Sequence, residues 1–238
     1  MGKRIIAQKR GRGSSRYHVH SFHYKGKAKT SRDKEGAMVT DIISCKGHTA
    51  PLAEVTYDDG EKGLVIASEG ICVGDVIDMS SEAKLDHGNV LKLSDIPEGV
   101  SICNIEAVPG DGGKFVRASG GVAKVVSKSK SGVVVQFPSR RQKSFHVDCR
   151  ATVGTVAGAG RVEKPFLKAG NKFKAMKARN RYWPKVSANS MNAVDHPFGN
   201  SRSSFKANSR PAPRNAPPGR RVGAIRPRKT GRSRSRRV

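Results

Sequence analysis

The chain has 238 residues, and its 46 Lys and Arg against 19 Asp and Glu give a formal net charge of +27. Apolar residues make up 36% of the chain, whereas about half is usual in a globular domain. These values exclude a compact globule with a neutral surface. No apolar stretch approaches the roughly 18–20 residues of a spanning helix, and residues 1–6 lack the apolar core of a secretory signal. We therefore expect a soluble, intracellular protein that binds a polyanion.

The positive charge is concentrated at the two ends of the chain. Residues 1–36 carry a net charge of +9 and residues 161–238 carry +20, whereas residues 37–100 carry −8 and residues 101–160 carry +6. Segments this cationic repel themselves and do not collapse unaided. The distribution predicts a basic N-terminal extension over residues 1–36 and a basic C-terminal extension over residues 166–238.

A first set of short β-strands is predicted between the N-terminal extension and residue 95, because apolar and polar residues alternate there. The predicted strands are residues 37–44, 51–57, 62–67, 73–77 and 90–93. Asp58-Asp59-Gly60 is a hairpin signal between the second and third of these strands.

A second set of strands is predicted after Ile96-Pro97-Glu98-Gly99. These strands are residues 101–108, 115–118, 122–127, 133–137, 144–147 and 151–156. Many short strands separated by turns favour a small closed barrel. The sequence thus predicts a mainly β protein with one small barrel over residues 37–95 and another over residues 96–165.

The C-terminal extension has one segment of helical character, near residues 171–181, with Phe173 and Met176 on one side. Residues 187–238 contain only seven large apolar side chains, too few to form a core. We expect a partner to order this segment.

Basic arms of this kind suit the phosphate backbone of a nucleic acid, because each neutralised phosphate releases counterions. Aromatic residues among the cations, such as Tyr17, Tyr24 and Trp183, suit stacking on unpaired bases. A regular DNA duplex is usually read by a helix in the major groove, and the sequence predicts only one short helix. Folded RNA is the favoured partner, and a DNA-binding protein is the first alternative.

Several ordered sequence pieces resemble those of one known family. The most specific are Met191-Asn192-Ala193-Val194-Asp195-His196-Pro197-Phe198-Gly199 and Arg214-Asn215-Ala216-Pro217-Pro218-Gly219-Arg220, supported by Gly2-Lys3-Arg4-Ile5, Pro109-Gly110-Asp111-Gly112-Gly113-Lys114 and Cys149-Arg150-Ala151-Thr152-Val153-Gly154. In these pieces the chain resembles the universal large-subunit ribosomal protein family known as ribosomal protein L-two, in its archaeal and eukaryotic branch. It departs from many relatives after Gly199, where a glycine run is replaced, and at Arg140, where relatives often have glycine.

This resemblance implies an oligonucleotide-binding (OB) type barrel followed by an SH3-like barrel. It also implies a structural constituent of the large ribosomal subunit that binds ribosomal RNA near the peptidyl transferase region. The expected roles are assembly, subunit association and support of tRNA binding, in the cytoplasmic ribosome. The expected partners are large-subunit rRNA, neighbouring ribosomal proteins and the small subunit across an intersubunit bridge.

The candidate RNA-binding residues are cations, aromatic rings and amides in or near the two extensions. They are Lys3, Arg4, Lys9, Arg10, Arg12, Arg16, Tyr17, Tyr24, Lys25, Lys114, Lys172, Lys177, Arg179, Arg181, Trp183, Asn192, His196, Phe198, Arg202, Asn215, Arg220, Arg221 and Arg228. We expect the second barrel to dock on RNA and the acidic first barrel to face solvent, an aqueous cavity or a basic neighbour.

An enzyme such as a nuclease or an RNA-modifying protein is the second alternative, although the basic extensions hold few carboxylates for acid–base work. His196 is the sharpest single candidate for a general acid or base, because the resemblance implies a place near the peptidyl transferase region. Residues 195–197 lie in a segment that RNA is expected to anchor, so support of local RNA architecture is the favoured role. His146, Asp148 and Cys149 do not form a local triad if they continue a strand, because Cys149 then points to the opposite face. We expect no enzyme activity.

Metal and phosphate-loop motifs receive little support. Cys45, Cys72, Cys103 and Cys149 lie too far apart for a Cys-x-x-Cys pair, so buried free thiols are expected. Residues 109–114 lack the Walker spacing. A glycine-rich loop that lets the RNA backbone come near is the preferred interpretation. We expect no cofactor, although Mg²⁺ or K⁺ bound by the rRNA could be shared with the protein, for example at Asp111.

Overall fold

The computed structural model describes residues 2–18, 24–129, 131–200, 202 and 211–225. The chain divides into two compact units. The terminal unit combines residues from both ends of the chain (Met1–His18 and Asn180–Val238), and the two-sheet unit is Val19–Arg179. The terminal unit contains a six-residue helix α1 (Ile6–Gly11) and one-turn 3-10 helices at Ser15–Tyr17 and Ala188–Ser190.

The first sheet of the two-sheet unit contains four antiparallel strands in the order β3-β2-β1-β4. Their bounds are β1 Gly36–Ile43, β2 Leu52–Tyr57, β3 Lys62–Ile66 and β4 Val76–Asp78. Alternation places Val39, Val55 and Val65 in one buried cluster, as the period of two requires. The predicted hairpin forms: Gly60 has a φ of +82°, and the Tyr57 amide donates to the Glu61 carbonyl at 2.9 Å.

The second sheet contains six antiparallel strands in the order β5-β10-β6-β7-β8-β9. Their bounds are β5 Val90–Lys92, β6 Ser101–Cys103, β7 Ala123–Ser129, β8 Gly132–Gln136, β9 Gln142–Phe145 and β10 Arg150–Val153. Strand β5 precedes residue 96 yet pairs with β10, with Leu91 opposite Ala151. The boundaries of the two barrels stay a prediction.

Burial holds the two sheets together as one body. The second sheet covers a cluster that includes Leu93, Ile102 and Phe145. A further cluster contains Leu52 and Cys103, which belong to different sheets. Burying such side chains contributes about 1.5–3 kcal/mol each, so apolar packing dominates the stability of this unit.

The mainly β prediction is confirmed, although it differs from the structure in local detail. Residues 115–118 were predicted to be a strand, which is wrong: Phe115 forms only an isolated bridge with Ile105, and Val116 has a φ of +54° that interrupts extended backbone. Helix α1 was not predicted, because it is shorter than the two or three turns that give a readable pattern. Arg140 has a φ of +62°, the conformation that the glycine of many relatives adopts easily.

The predicted helix near residues 171–181 is present as α2, Ala169–Ala178. It buries no residue, and Phe173 is exposed. A one-turn 3-10 helix precedes it at Ala159–Val162. No helix among the described residues has the length and apolar character needed to cross a membrane.

Candidate nucleic-acid interface

The terminal unit joins the first and last segments of the chain through polar contacts. The Lys3 amide donates to the Val194 carbonyl at 2.7 Å, and the Lys3 ammonium lies 3.6 Å from the Asp195 carboxylate. The Arg10 guanidinium donates to the Asn180 carbonyl at 2.5 Å. These bonds place the two most cationic parts of the sequence side by side.

The same two segments also come close together at Gly219, beside Gln8. A Cβ on Gly219 would lie 2.7 Å from the side-chain oxygen of Gln8, and Gly219 has a φ of +88°. Gln8 itself accepts the Ile5 amide at 3.3 Å, at the start of α1. The approach therefore requires glycine both for space and for conformation.

The described residues of the terminal unit contain twelve Lys and Arg and a single carboxylate, Asp195. Lys3 already neutralises that carboxylate. Most of these cations are exposed, including Arg4, Arg12 and Arg220. Such a surface attracts polyanions and repels other cations.

A compact turn at residues 191–200 holds His196. The carbonyl of Asn192 accepts the amides of Asp195 at 3.0 Å and His196 at 3.2 Å. The Phe198 amide donates to Nδ1 of His196 at 3.0 Å, and the two rings meet edge to face at 5.3 Å. Burial lowers the pKa of His196 below 6.5, so the imidazole is neutral at pH 7 and its Nδ1 lone pair is already used.

Gly199 closes this turn. A Cβ there would lie 2.3 Å from the Asn192 carbonyl oxygen and 2.6 Å from that of Met191. Both obstacles are backbone atoms, which cannot move aside independently. A side chain at position 199 is therefore incompatible with the turn as it stands.

The predicted RNA-binding residues divide between the two units. Those of the terminal unit are Lys3, Arg4, Lys9, Arg10, Arg12, Arg16, Tyr17, Arg181, Trp183, Asn192, His196, Phe198, Arg202, Asn215, Arg220 and Arg221. Those of the two-sheet unit are Tyr24, Lys25, Lys114, Lys172, Lys177 and Arg179. Arg228 lies outside the described residues.

A groove in the two-sheet unit brings Lys177 and Arg179 together with residues that the sequence analysis missed. It has a volume of about 650 Å³ and lies between α2 and the loop after β1; we call it the α2 groove. The missed cations and ring lining it are Lys46, His48, Arg161 and Lys174. The only sequence signal for Lys174 was its place in the basic helical segment, and Lys46 and His48 lie in an acidic region.

One residue that lines the α2 groove, His48, is stacked on a second ring. Tyr24 stacks on His48, with the ring centroids 5.3 Å apart and the planes 19° from parallel. Nδ1 of His48 lies 3.2 Å from Sγ of the buried Cys45. Burial, followed by the charge of Arg117, lowers the pKa of His48. His48 is therefore an aromatic, uncharged lining at neutral pH.

The glycine-rich loop at residues 109–114 is held by hydrogen bonds to carboxylates of the same chain. The Glu106 carboxylate, 2% exposed, accepts the amides of Gly110 and Gly112, both at 3.1 Å. The two carboxylate oxygens of Asp111 accept the amides of Ala107 and Gly113. The loop amides thus serve the fold, which leaves the exposed Lys114 as its outward cation.

The cysteine candidates form no catalytic or metal cluster in the part of the chain that the structure describes. Nδ1 of His146 lies 3.4 Å from the Asp148 carboxylate, whereas Cys149 is buried. Burial raises the pKa of the Cys149 thiol, which disfavours a nucleophilic thiolate. All four cysteines are free, but Cys72 is exposed rather than buried as expected, because it lies in the loop before β4.

The architecture and surface place the chain in the class of cationic, mainly β proteins suited to binding a polyanion. Comparison with known proteins is more specific. Residues 2–79 match the family model described as "Ribosomal Proteins L2, RNA binding N-terminal domain", and residues 86–217 match "Ribosomal Proteins L2, C-terminal domain".

Three similar archaeal proteins bear the name "Large ribosomal subunit protein uL2". The protein of Natronomonas pharaonis is 46% identical over 236 residues, covering 98% of this chain and 97% of its own. Those of Archaeoglobus fulgidus and Methanocaldococcus jannaschii are each 47% identical, covering 97% of this chain and 99% of their own. The chain therefore belongs to the ribosomal protein L2 family. Its two sheets fit the expected OB-type and SH3-like barrels. Over the described residues, however, the two end strands of each sheet are not hydrogen-bonded to each other, so neither sheet closes into a barrel.

Proposed function

We propose that this chain is a structural constituent of the large ribosomal subunit and binds its rRNA, with the terminal unit supplying most of the affinity. The family relationship over nearly the whole chain carries this proposal. Its role is architectural: the chain fixes RNA segments in place and catalyses no reaction itself.

The contacts within the terminal unit support this role. The two segments are joined by backbone hydrogen bonds, one bond from the Arg10 guanidinium and the Lys3–Asp195 ion pair, so most of the guanidinium and ammonium groups are left for phosphates. Arginine binds phosphate through two parallel hydrogen bonds. A cationic unit built in this way gains its main stabilisation when RNA neutralises it.

The position of the chain on the rRNA, and its roles there, are proposed from the family resemblance. We propose that the extensions reach RNA close to the peptidyl transferase region and that the chain supports assembly, subunit association and tRNA binding in the ribosome. The partners are large-subunit rRNA, neighbouring ribosomal proteins and the small subunit across a bridge. The acidic segment, residues 37–100, faces solvent, an aqueous cavity or a basic neighbour.

His196 contributes to RNA architecture rather than to catalysis. Its Nδ1 accepts the Phe198 amide, and the neutral ring is then protonated at Nε2, which makes it a hydrogen-bond donor rather than a base. In correctly assembled particles, His196→Ala should leave the rate of peptide-bond formation within a few-fold of wild type. A large defect in the chemical step with intact RNA structure would contradict this role.

The salt dependence of rRNA binding tests the main proposal. Dissociation constants of the full chain with deproteinised large-subunit rRNA are measured between about 50 and 400 mM KCl, with duplex DNA as competitor. In the triple variant, Arg4, Arg12 and Arg220 are replaced by alanine. The slope of log K against log salt should fall by about 2–3 units, because each lost phosphate contact removes roughly 0.7–0.9.

A matched control removes three exposed lysines from the acidic region, namely Lys62, Lys84 and Lys92. It loses the same charge and should keep the wild-type slope to within about one unit. Binding that does not depend on salt, or duplex DNA that competes as well as rRNA, would overturn the proposal.

A further inference from the structure

The α2 groove combines two features that RNA binding uses separately. Its lining includes cations from three places in the sequence, Lys46, Arg161 and the α2 lysines. Its lining includes the neutral ring of His48, stacked on Tyr24. Cations bind phosphate, and stacked rings bind the face of a base.

The size of the groove suits a small, planar ligand. Its volume of about 650 Å³ lies within the roughly 300–1,000 Å³ of sites that bury small molecules. A base inside a duplex is paired and stacked and cannot enter such a site, whereas an unpaired base can be turned out into it.

We infer that the α2 groove binds one unpaired nucleotide of rRNA, with its phosphate on Lys174 and Lys177 and its base beside His48. This inference rests on the proposed function, because the nucleotide belongs to the RNA that the chain binds. It assigns to the two-sheet unit a binding site separate from the cationic surface of the terminal unit.

Helix α2 is well placed for this role because none of its residues is fully buried. Its lysine side chains Lys174 and Lys177 are exposed and can reach a ligand in the groove. Ala175 and Ala178 line the groove, and their small side chains leave room for a base between the lysines. An acidic peptide would satisfy the cations but would make no use of the stacked rings.

Charge reversal at the groove gives the first test. Binding of the full chain to deproteinised large-subunit rRNA is measured for the double variant Lys174→Glu with Lys177→Glu. The matched control is Lys164→Glu with Lys168→Glu. These two exposed lysines precede α2 and do not line the groove. The groove variant should lose at least about tenfold in affinity, and the control less than about threefold.

Crosslinking gives a second test that reports on the base. Intact large subunits are irradiated with ultraviolet light and digested with nuclease and trypsin, and the peptides are analysed by mass spectrometry. Residues 47–62 form one tryptic peptide that contains His48, and residues 63–84 form the next, which contains the exposed Cys72. The first peptide should carry the mass of one nucleotide, and the second should not.

The outcomes separate this inference from the proposed function. If wild-type protein binds rRNA in a salt-dependent manner but both charge-reversal pairs lose affinity equally, the single-nucleotide site is wrong and the proposed function stands. A crosslink from residues 47–62 to an acidic peptide instead of a nucleotide would also refute the site. If wild-type protein shows no salt-dependent affinity for rRNA, the proposed function itself fails.

Discussion

The two units of this chain are stabilised by different means. The two-sheet unit buries three apolar clusters beneath its strands. In the terminal unit, Gly199 is the one buried residue among those that the structure describes, and the contacts between its segments are hydrogen bonds and an ion pair. One chain can therefore combine a unit that is stabilised by apolar burial with a unit whose positive charge is neutralised only when a polyanion binds.

The largest effect that would test this comparison is expected at Glu106, in the two-sheet unit. Its carboxylate accepts the Arg150 amide at 2.9 Å, besides two loop amides, and lies 3.5 Å from the Arg150 guanidinium. Glu106→Ala should lower the free energy of unfolding by about 3–5 kcal/mol, because three backbone amides lose their acceptor and the partly buried Arg150 guanidinium loses its carboxylate partner. Urea unfolding of the full chain measures this, and Glu82→Ala, at an exposed position, should change stability by less than about 0.5 kcal/mol.

A pair of identical substitutions tests the role of apolar burial. Leu93 is completely buried and Leu167 is 92% exposed. Leu93→Ala should cost about 2–4 kcal/mol through lost burial and a cavity, whereas Leu167→Ala should change stability by less than about 0.5 kcal/mol. Comparable costs in urea unfolding would show that burial does not dominate this unit.

High pH should weaken the two-sheet unit. Burial raises the pKa of Cys103 from 9.0 to about 12, so between these values the folded chain keeps a proton that the unfolded chain releases. The free energy of unfolding should therefore fall as pH rises above about 9, with a slope approaching about 1.4 kcal/mol per pH unit for this thiol. Cys103→Ala should flatten the slope, and Cys72→Ala, at an exposed thiol, should leave it unchanged.

A substitution at Gly199 should affect the terminal unit alone. Gly199→Ala places a Cβ against two backbone carbonyls and should open the turn that holds His196. We expect rRNA affinity to fall about tenfold, which corresponds to about 1.4 kcal/mol, with little change in urea unfolding of the sheets. Gly11→Ala, where nothing lies within 4 Å, is the control within the same unit; an equal loss there would argue against the turn.

The smallest predicted effect is the acid response of the same turn. Because burial lowers the pKa of His196 below 6.5, the unfolded turn binds a proton more readily than the folded one. The turn should lose stability as pH falls below about 6.5, when Nδ1 can no longer accept the Phe198 amide. The protection of that amide against hydrogen exchange, relative to an unstructured amide at the same pH, should fall in acid, and His196→Gln should remove this pH response.

Local patterns in the sequence predicted most of the strands. Alternation around Val39 and Val55 and the Asp58-Asp59-Gly60 turn were sufficient for the first sheet, since both signals lie within a few residues. The strand predicted at residues 115–118 was wrong because the positive φ of Val116 is set by its surroundings, not by its β-branched side chain.

The α2 groove could not be predicted, because it exists only when the loop after β1 meets a helix far away in the chain. His48 lies in a region of net negative charge, where composition gives no reason to expect an RNA site. The contacts within the terminal unit were missed for the same reason: Arg10 and Asn180 are 170 residues apart. The candidate cations themselves were visible from composition, but their arrangement was not.

The pairing of the two chain ends has a consequence for biosynthesis. Residues 2–18 are synthesised well before Val194 and Gly219, which contact them. The cationic segment at residues 2–18 therefore lacks these contacts until Val194 and Gly219 have been made. The sheets can form during that interval, so the order of events is a finished scaffold first and a closed RNA-binding end last.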